Sequence, residues 1–220
     1  MAKRVRNSRQ DAHSSLEQLR NDITTAAKIY SSLASKSFLY VYGDKFFELA
    51  FPKRCFRHLC GVDSAYTAER FYNDAKNGRL DRAQIAFDRQ KGQSIRGAKK
   101  KAEALKSLLR LQHEQVAILE NLATRTFTYQ IGMTDLAIVL CLDKDTVTDA
   151  GNPLAGLYYP KSLRVDEKAI EKSGTAEFAN FVFAKELSLQ ESKYDELLFC
   201  DGCELPVAIQ DLVDESFWTK

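Results

Sequence analysis

The run Phe38-Leu-Tyr-Val-Tyr-Gly-Asp-Lys-Phe-Phe-Glu-Leu-Ala-Phe-Pro-Lys-Arg-Cys-Phe-Arg-His-Leu-Cys-Gly61 decides the fold of this chain. Its two aromatic-rich segments, 38–42 and 45–51, flank Gly43-Asp44, a composition that suits two strands of a β-hairpin around a tight turn. Pro52 then fits the first turn of a helix, where its missing N–H removes a donor without a helical partner, and Gly61 is placed to end that helix. Phe56 and Leu59 face a core from this short basic helix, whereas Lys53, Arg54, Arg57 and His58 reach outward. The layout presents one imidazole beside several cations.

Upstream of the hairpin, residues 1–13 read as a basic, disordered tail. Ser14 or Ser15 caps a helix running to about Ser35, with Leu16, Leu19, Ile23, Ala26, Ala27, Tyr30 and Leu33 on one apolar stripe. Downstream, residues 64–77 predict a helix ending at Asn77-Gly78, Leu80 to Phe87 suits either a short helix or an extended connection, and 92–97 reads as a loop. Apolar residues from Ala98 to about Thr124 recur at spacings near three and four, which predicts the longest helix, for core packing, dimerisation or partner binding. Candidate strands follow at 127–131, 136–142, 157–159, 178–184 and 197–200, with a breaking loop at Asp149-Ala-Gly-Asn-Pro153. The end, Leu205 to Trp218, offers a short amphipathic helix or an ordered tail. The expected class is α+β: an antiparallel sheet of about four to six strands, packed by the N-terminal helix, the His-bearing helix and one long helix.

A chain of 220 residues with 45% hydrophobic content can bury a full core, and no long low-complexity linker interrupts it, so residues 14–220 are expected to form one domain. No apolar run approaches the roughly 18 residues of a membrane span, and the start Met-Ala-Lys-Arg-Val-Arg lacks an apolar signal core, so a cytoplasmic protein without a membrane partner is expected. Five irregularly placed cysteines suit a reducing compartment better than a disulfide framework. The net charge of +2 conceals an asymmetry: residues 1–101 hold 21 Lys and Arg against 10 Asp and Glu, and residues 102–220 hold 11 against 20. A basic first half suggests an anionic ligand such as RNA, or two halves that neutralise each other.

The run Ala27-Lys-Ile-Tyr30, the hairpin and its basic helix, then Ala68-Glu-Arg-Phe-Tyr72, Tyr158-Tyr-Pro-Lys-Ser-Leu-Arg164, Phe183-Ala-Lys-Glu186 and Tyr194 together resemble a phage-associated nuclease family. That family lies within the barnase, EndoU, colicin and RelE-like superfamily, and the resemblance covers roughly residues 20 to 200. It implies an α+β nuclease domain, RNA as substrate, toxin-type activity without a metal or other cofactor, and an antitoxin or immunity protein as partner.

Cleaving RNA without a metal requires a base for the 2′-hydroxyl proton, an acid for the departing 5′ oxygen, and cations for charge on the phosphoryl oxygens. Histidine suits proton transfer because its ordinary pKa of about 6.5 allows either form near neutrality. Of His13, His58 and His113, His58 is the best placed, although capping or packing within its helix would equally account for it. In Tyr159-Pro-Lys-Ser-Leu-Arg164 an extended Lys-x-x-Arg segment starting at a strand end can direct hydroxyls and two cations at one phosphate, while a solvated loop is the plainer account. Lys185, at the end of its apolar run, suits a cation for the transition state or a surface lysine. Catalytic candidates are therefore His58, Tyr159, Lys161, Ser162 and Lys185; substrate-binding candidates are Lys53, Arg54, Arg57 and Arg164, with Tyr194 weaker.

Arg96 and Lys99-Lys100-Lys101 could follow an RNA backbone or simply form a solvated helix start. Cys200-Asp-Gly-Cys203 has the spacing of half a zinc knuckle, but no second pair follows, and no metal site is expected. The leading expectation is an endoribonuclease leaving a 2′,3′-cyclic phosphate. Its rivals are a catalytically inactive module binding nucleic acid or protein, and an interaction protein docked through the long helix.

Overall fold

A computed structural model describes residues 2–124, 127–146, 154–165, 175–188 and 192–218, with side chains from His13 onward. The loop expected at Asp149 to Pro153 lies outside the described residues. By contacts the chain divides into two compact units, residues 1–31 with 53–106, and residues 32–52 with 107–220.

The first unit is helical. Helix α1, Ala2–Leu33, starts well before the predicted cap at Ser14 or Ser15, and residues 2–13, expected as a tail, continue it. Its stripe Leu19, Ile23, Ala26, Ala27 and Tyr30 is fully buried, as the 3.6-residue period of its apolar positions requires. The Tyr30 ring meets Phe56 at 5.2 Å and Tyr72 at 5.9 Å between centroids. Those partners come from α2, Phe56–Leu59, and α3, Ala68–Lys76. The hydroxyl of Thr67 caps α3 by accepting from Arg70 N at 3.3 Å, and Gly78 ends it at φ +69°. The segment 80–87 is both things expected of it: a 3-10 turn at Arg82–Gln84 and a bridge between Asp63 and Ala86. Helix α4, Ile95–Lys106, buries Ala98, Ala102, Ala104 and Leu105.

The second unit is built on a nine-stranded sheet ordered β7-β3-β4-β5-β6-β2-β1-β8-β9. The predicted hairpin forms β1, Lys36–Tyr42, and β2, Lys45–Ala50, paired Phe38↔Leu49 through Tyr42↔Lys45 around Gly43 at φ +53°. The remaining strands are β3 Ala117–Ala123, β4 Thr128–Thr134, β5 Val139–Lys144, β6 Tyr158–Arg164, β7 Ala176–Phe178, β8 Phe181–Glu186 and β9 Glu196–Cys200. All ladders are antiparallel except β2 with β6, which pair in parallel at Leu49↔Tyr158. The class is α+β, but the sheet is larger than four to six strands and not purely antiparallel.

The sheet also curls. Strand β7 pairs with β3, the chain passes through Ala179 and Asn180, and β8 pairs with β1. Ala179 N donates to Val116 O at 2.9 Å, and Asn180 N donates to Val41 O at 2.8 Å. The predicted run 178–184 is thus one bent path bridging the two sides. This path gives β3 a partner in β7 and β1 a partner in β8, so that the N–H and C=O groups on those sides of β3 and β1 are paired.

The helix expected from Ala98 to Thr124 does not exist as such. Helix α4 ends at Lys106, α5 spans only Arg110–His113, and the remainder is β3. Val116, Ala117, Ile118 and Leu119 are all buried, and a continuous apolar run buried on both faces is a strand pattern as readily as a helical one. The C-terminal segment forms 3-10 turns at Val207–Leu212 and Glu215–Phe217. Ile209 and Val213 there pack with Leu39, Val41, Phe181, Phe183 and Tyr194.

Candidate active site

In the first unit the structure places Lys53, Arg54 and His58 on exposed positions of the turn at Lys53–Cys55 and of α2. Phe56 and Leu59 point inward, as their spacing requires. Arg57 Nη1 donates to Tyr66 O at 2.6 Å and to Ser64 O at 3.4 Å. Its guanidinium therefore ties down the loop into α3. Lys101 lies close over Gly61, where an added Cβ would sit 2.8 Å from Lys101 Cδ.

In the second unit Tyr159, Lys161, Ser162 and Arg164 all lie on β6. The strand was expected to stop at Tyr159, ahead of Pro160. It continues because the register slips there: Leu142 pairs with Pro160 and Cys141 with Ser162, which makes Lys161 the extra residue of a bulge. A proline cannot donate to a ladder and is tolerated inside a sheet mainly at such irregularities. The bulge also re-aims Lys161. Its Nζ lies 3.2 Å from Asp143 Oδ2, the same oxygen that accepts from the Tyr159 hydroxyl at 3.3 Å. The hydrogen bond that Lys161 donates to Asp143 is the main cause that raises the Lys161 pKa, against a lowering by burial, with Tyr159 adding to the rise.

Tyr129 on β4 joins this group. Burial raises its pKa, while the Arg164 guanidinium, hydrogen-bonded to it, and Lys161 both oppose that rise. Arg164 Nε is buried without a hydrogen-bond partner among the described residues. The same region forms a cleft of about 450 Å³ whose lining includes Phe127, Tyr129, Asp143, Lys144, Tyr158 and Lys161. Phe127 is 67% exposed. The Tyr158 hydroxyl donates to Gln130 Oε1 at 3.2 Å, and Lys144 Nζ lies 5.7 Å from the Tyr158 ring centroid.

Lys185 does not join this group. It lies on β8, separated from β6 by β1 and β2, which at about 4.8 Å per strand puts the two strands about 14 Å apart. The residue is 9% exposed, its Nζ donates to Ser192 O at 2.8 Å and sits 4.5 Å from the Tyr194 ring centroid. The Tyr194 hydroxyl in turn donates to Glu48 Oε2 at 2.6 Å. Burial lowers the Lys185 pKa, with Glu48 acting against it. Burial likewise raises that of Tyr194, reinforced by Glu48.

Reasoning from the sequence passed over Asp143, Lys144, Tyr129 and Gln130. A signal existed for the first two. Asp143-Lys144 directly follows the apolar run 136–142, as Lys185 follows its own run. Tyr129 and Gln130 carried no such mark, because only the pairing of β4 with β5 brings them beside Asp143.

Among the described residues, no helix is long and apolar enough to cross a membrane. The family model described as phage-Barnase-EndoU-ColicinE5/D-RelE like nuclease4 matches residues 22–196. No curated protein and no solved structure matches the chain.

Proposed function

The chain belongs to the phage-associated nucleases of the barnase, EndoU, colicin and RelE-like group, and from that premise we propose that it is a metal-independent endoribonuclease of toxin type, acting in the cytoplasm. The observation that carries this reading is the gathering of Lys161, Asp143 and Tyr129 on the lining of one cleft, where Asp143 also accepts from the Tyr159 hydroxyl and Tyr129 is bonded to Arg164. The Lys161 ammonium on the cleft lining would take a phosphoryl oxygen, and the Arg164 guanidinium, which also bonds Tyr129, is proposed as the second cation for the phosphate. Tyr129, Tyr158 and exposed Phe127 would stack unpaired bases.

In the reaction the 2′-oxygen attacks phosphorus, its proton passes to a base, the bond from phosphorus to the 5′ oxygen breaks, and that oxygen takes a proton from an acid. Two residues are proposed for the base. Asp143 is already in the cleft and bonded to a hydroxyl that could serve as acid. His58 has the better-suited ordinary pKa and is the rival. Ser162 is proposed as a further hydroxyl near the phosphate. We also propose that both units serve one nuclease function, since the family match runs through both.

The test is incubation of purified protein with single-stranded RNA in EDTA, followed by mapping of the new ends. The expected products carry 2′,3′-cyclic phosphates, and Lys161→Ala abolishes them. Loss with Asp143→Asn but not with His58→Ala assigns the base to the cleft; the reverse assigns it to α2. Cleavage that EDTA abolishes would sink the metal-independent reading. A second reading, a non-cleaving RNA-binding module, draws on the positive charge of the first unit; salt-sensitive binding with no product after long incubation favours it.

A further inference from the structure

A second cleft of about 480 Å³ opens beside the first and shares Gln130, Lys144 and Tyr158 with it. It exists because the sheet curls. The tip of the β1–β2 hairpin reaches β3 and β7, although β6, β5 and β4 stand between β2 and β3 in strand order. There Glu120 accepts from Lys45 Nζ at 2.9 Å and from the Tyr42 hydroxyl at 3.1 Å. Lys45 also reaches Glu177 at 3.1 Å. Both volumes fall within the roughly 300–1,000 Å³ of small-molecule sites, which recur at the mouths of curled sheets.

The two clefts differ in charge. The lining of the first contains Lys144 and Lys161 against Asp143 alone. The second has Lys45 and Lys144 against Glu48 and Glu120, and Lys45 is already neutralised by Glu120 and Glu177. A phosphate is therefore favoured in the first cleft, whose lining carries one cation in excess, over the second, whose lining lysines and carboxylates balance. What those carboxylates attract is an N–H donor. Tyr42, Lys45 and Thr175 engage Glu120, and a carboxylate accepts about four hydrogen bonds, so acceptor capacity remains. The half-buried Tyr158 and the exposed Phe46 on the lining of this cleft suit a flat aromatic ring, with Phe47 buried behind Tyr158 at 5.7 Å. Tyr158 lines both clefts, so one nucleotide can place its phosphate in the first and its base in the second.

We propose that this second cleft is a nucleobase subsite, selecting an unpaired base with an exocyclic amino group (adenine, cytosine or guanine) over uracil through Glu120. The inference rests on the nuclease reading for its biological use, but not for its detection. Cytosine and uracil have nearly the same shape and differ where one offers an amino donor and the other a carbonyl acceptor. A hydrogen bond to a charged acceptor discriminates between such isosteres by about tenfold or more.

The experiment is calorimetric titration of the full-length protein with cytidine and uridine 3′-monophosphates, alongside ribose 3-phosphate as the baseless probe. Wild type is expected to bind the cytidine nucleotide about tenfold or more tightly than the uridine one. Glu120→Gln, checked for folding by circular dichroism, is expected to bring the two together while leaving ribose 3-phosphate binding unchanged. Exposed Phe46 at the cleft rim offers a second variant, Phe46→Ala, expected to weaken both nucleotides without touching ribose 3-phosphate. Equal binding of both nucleotides by wild type, or discrimination intact in Glu120→Gln, overturns the subsite. Discriminating binding by a protein that cleaves no RNA would instead sink the nuclease reading and leave the subsite standing.

Discussion

Lys161 is exposed but paired: a bulge re-aims it, and its ammonium meets Asp143. The carboxylate that meets the ammonium also accepts from the Tyr159 hydroxyl, and on the proposed reading this pairing orients Lys161 toward a phosphate. Lys161→Ala is expected to lower the rate constant for RNA cleavage about 10²–10³-fold, the usual cost of removing one donor to developing charge; single-turnover assays on one labelled RNA check it. Lys185 makes a different case. Its folded pKa lies below its ordinary value because burial disfavours the ammonium. Between that folded value and the unfolded value of about 10.4 the unfolded chain binds more protons, so stability rises with pH across that window. Lys185→Met is expected to flatten the rise in urea midpoints between neutral pH and about pH 10. A slope equal to wild type would show that the ammonium is already well solvated. Neither setting was legible in the residues themselves, since a Lys at an apolar run's end reads alike whether it is bulged into a cleft or buried over a tyrosine.

At the scale of elements, the hairpin, the His-bearing helix and the end of α3 were readable, because each carries its own punctuation in Gly43, Pro52, Gly61 and Gly78, whereas the start of α3 at Thr67 was expected at residue 64. The stretch 98–124 was not. Its apolar residues obey a helical period through Leu111, but Gln112-His113-Glu114-Gln115 breaks the run, and Glu114 already has extended dihedrals. What makes Ala117–Ala123 a strand is its pairing with residues 128–134 and 176–178, a non-local fact. Within that strand Asn121 takes φ +52°, yet the register with β4 runs on from Glu120↔Ile131 to Leu122↔Tyr129. Opposite it, Gly132 carries no Cβ for a physical reason: one would sit 2.6 Å from Leu122 Cδ2, and Leu122 is fully buried. Gly132→Ala must displace that packed side chain, and it is expected to cost about 1–3 kcal/mol, read from urea denaturation. An unchanged midpoint would mean that β3 and β4 can separate at no cost, contrary to their close packing.

Over the whole molecule, the charge asymmetry of the two sequence halves carries over undiminished to the two compact units. Residues 1–31 with 53–106 carry 20 Lys and Arg against 9 Asp and Glu, and the remainder carries 12 against 21. The asymmetry was visible in the sequence, but its division was not, because the hairpin belongs to one unit while its flanks belong to the other. The cleft with Lys161 thus lies in the acidic unit, and its local cations must act against that background. The positive charge that would attract a polyanion is concentrated in the basic unit, where Lys99 and Lys100 stand on α4 with Lys100 exposed. Positive charge near a helix N-terminus is disfavoured by the helix dipole, so replacing these residues with alanine should leave folding intact or slightly firmer. If they meet RNA phosphates, the double variant Lys99→Ala/Lys100→Ala loses two counterion-releasing contacts. The slope of log affinity against log salt for single-stranded RNA should then fall by about 1.4, equally for all sequences and with the base preference unchanged. A slope equal to wild type would confine RNA binding to other cations, and a changed base preference would mean that α4 acts on the subsite as well as on the backbone.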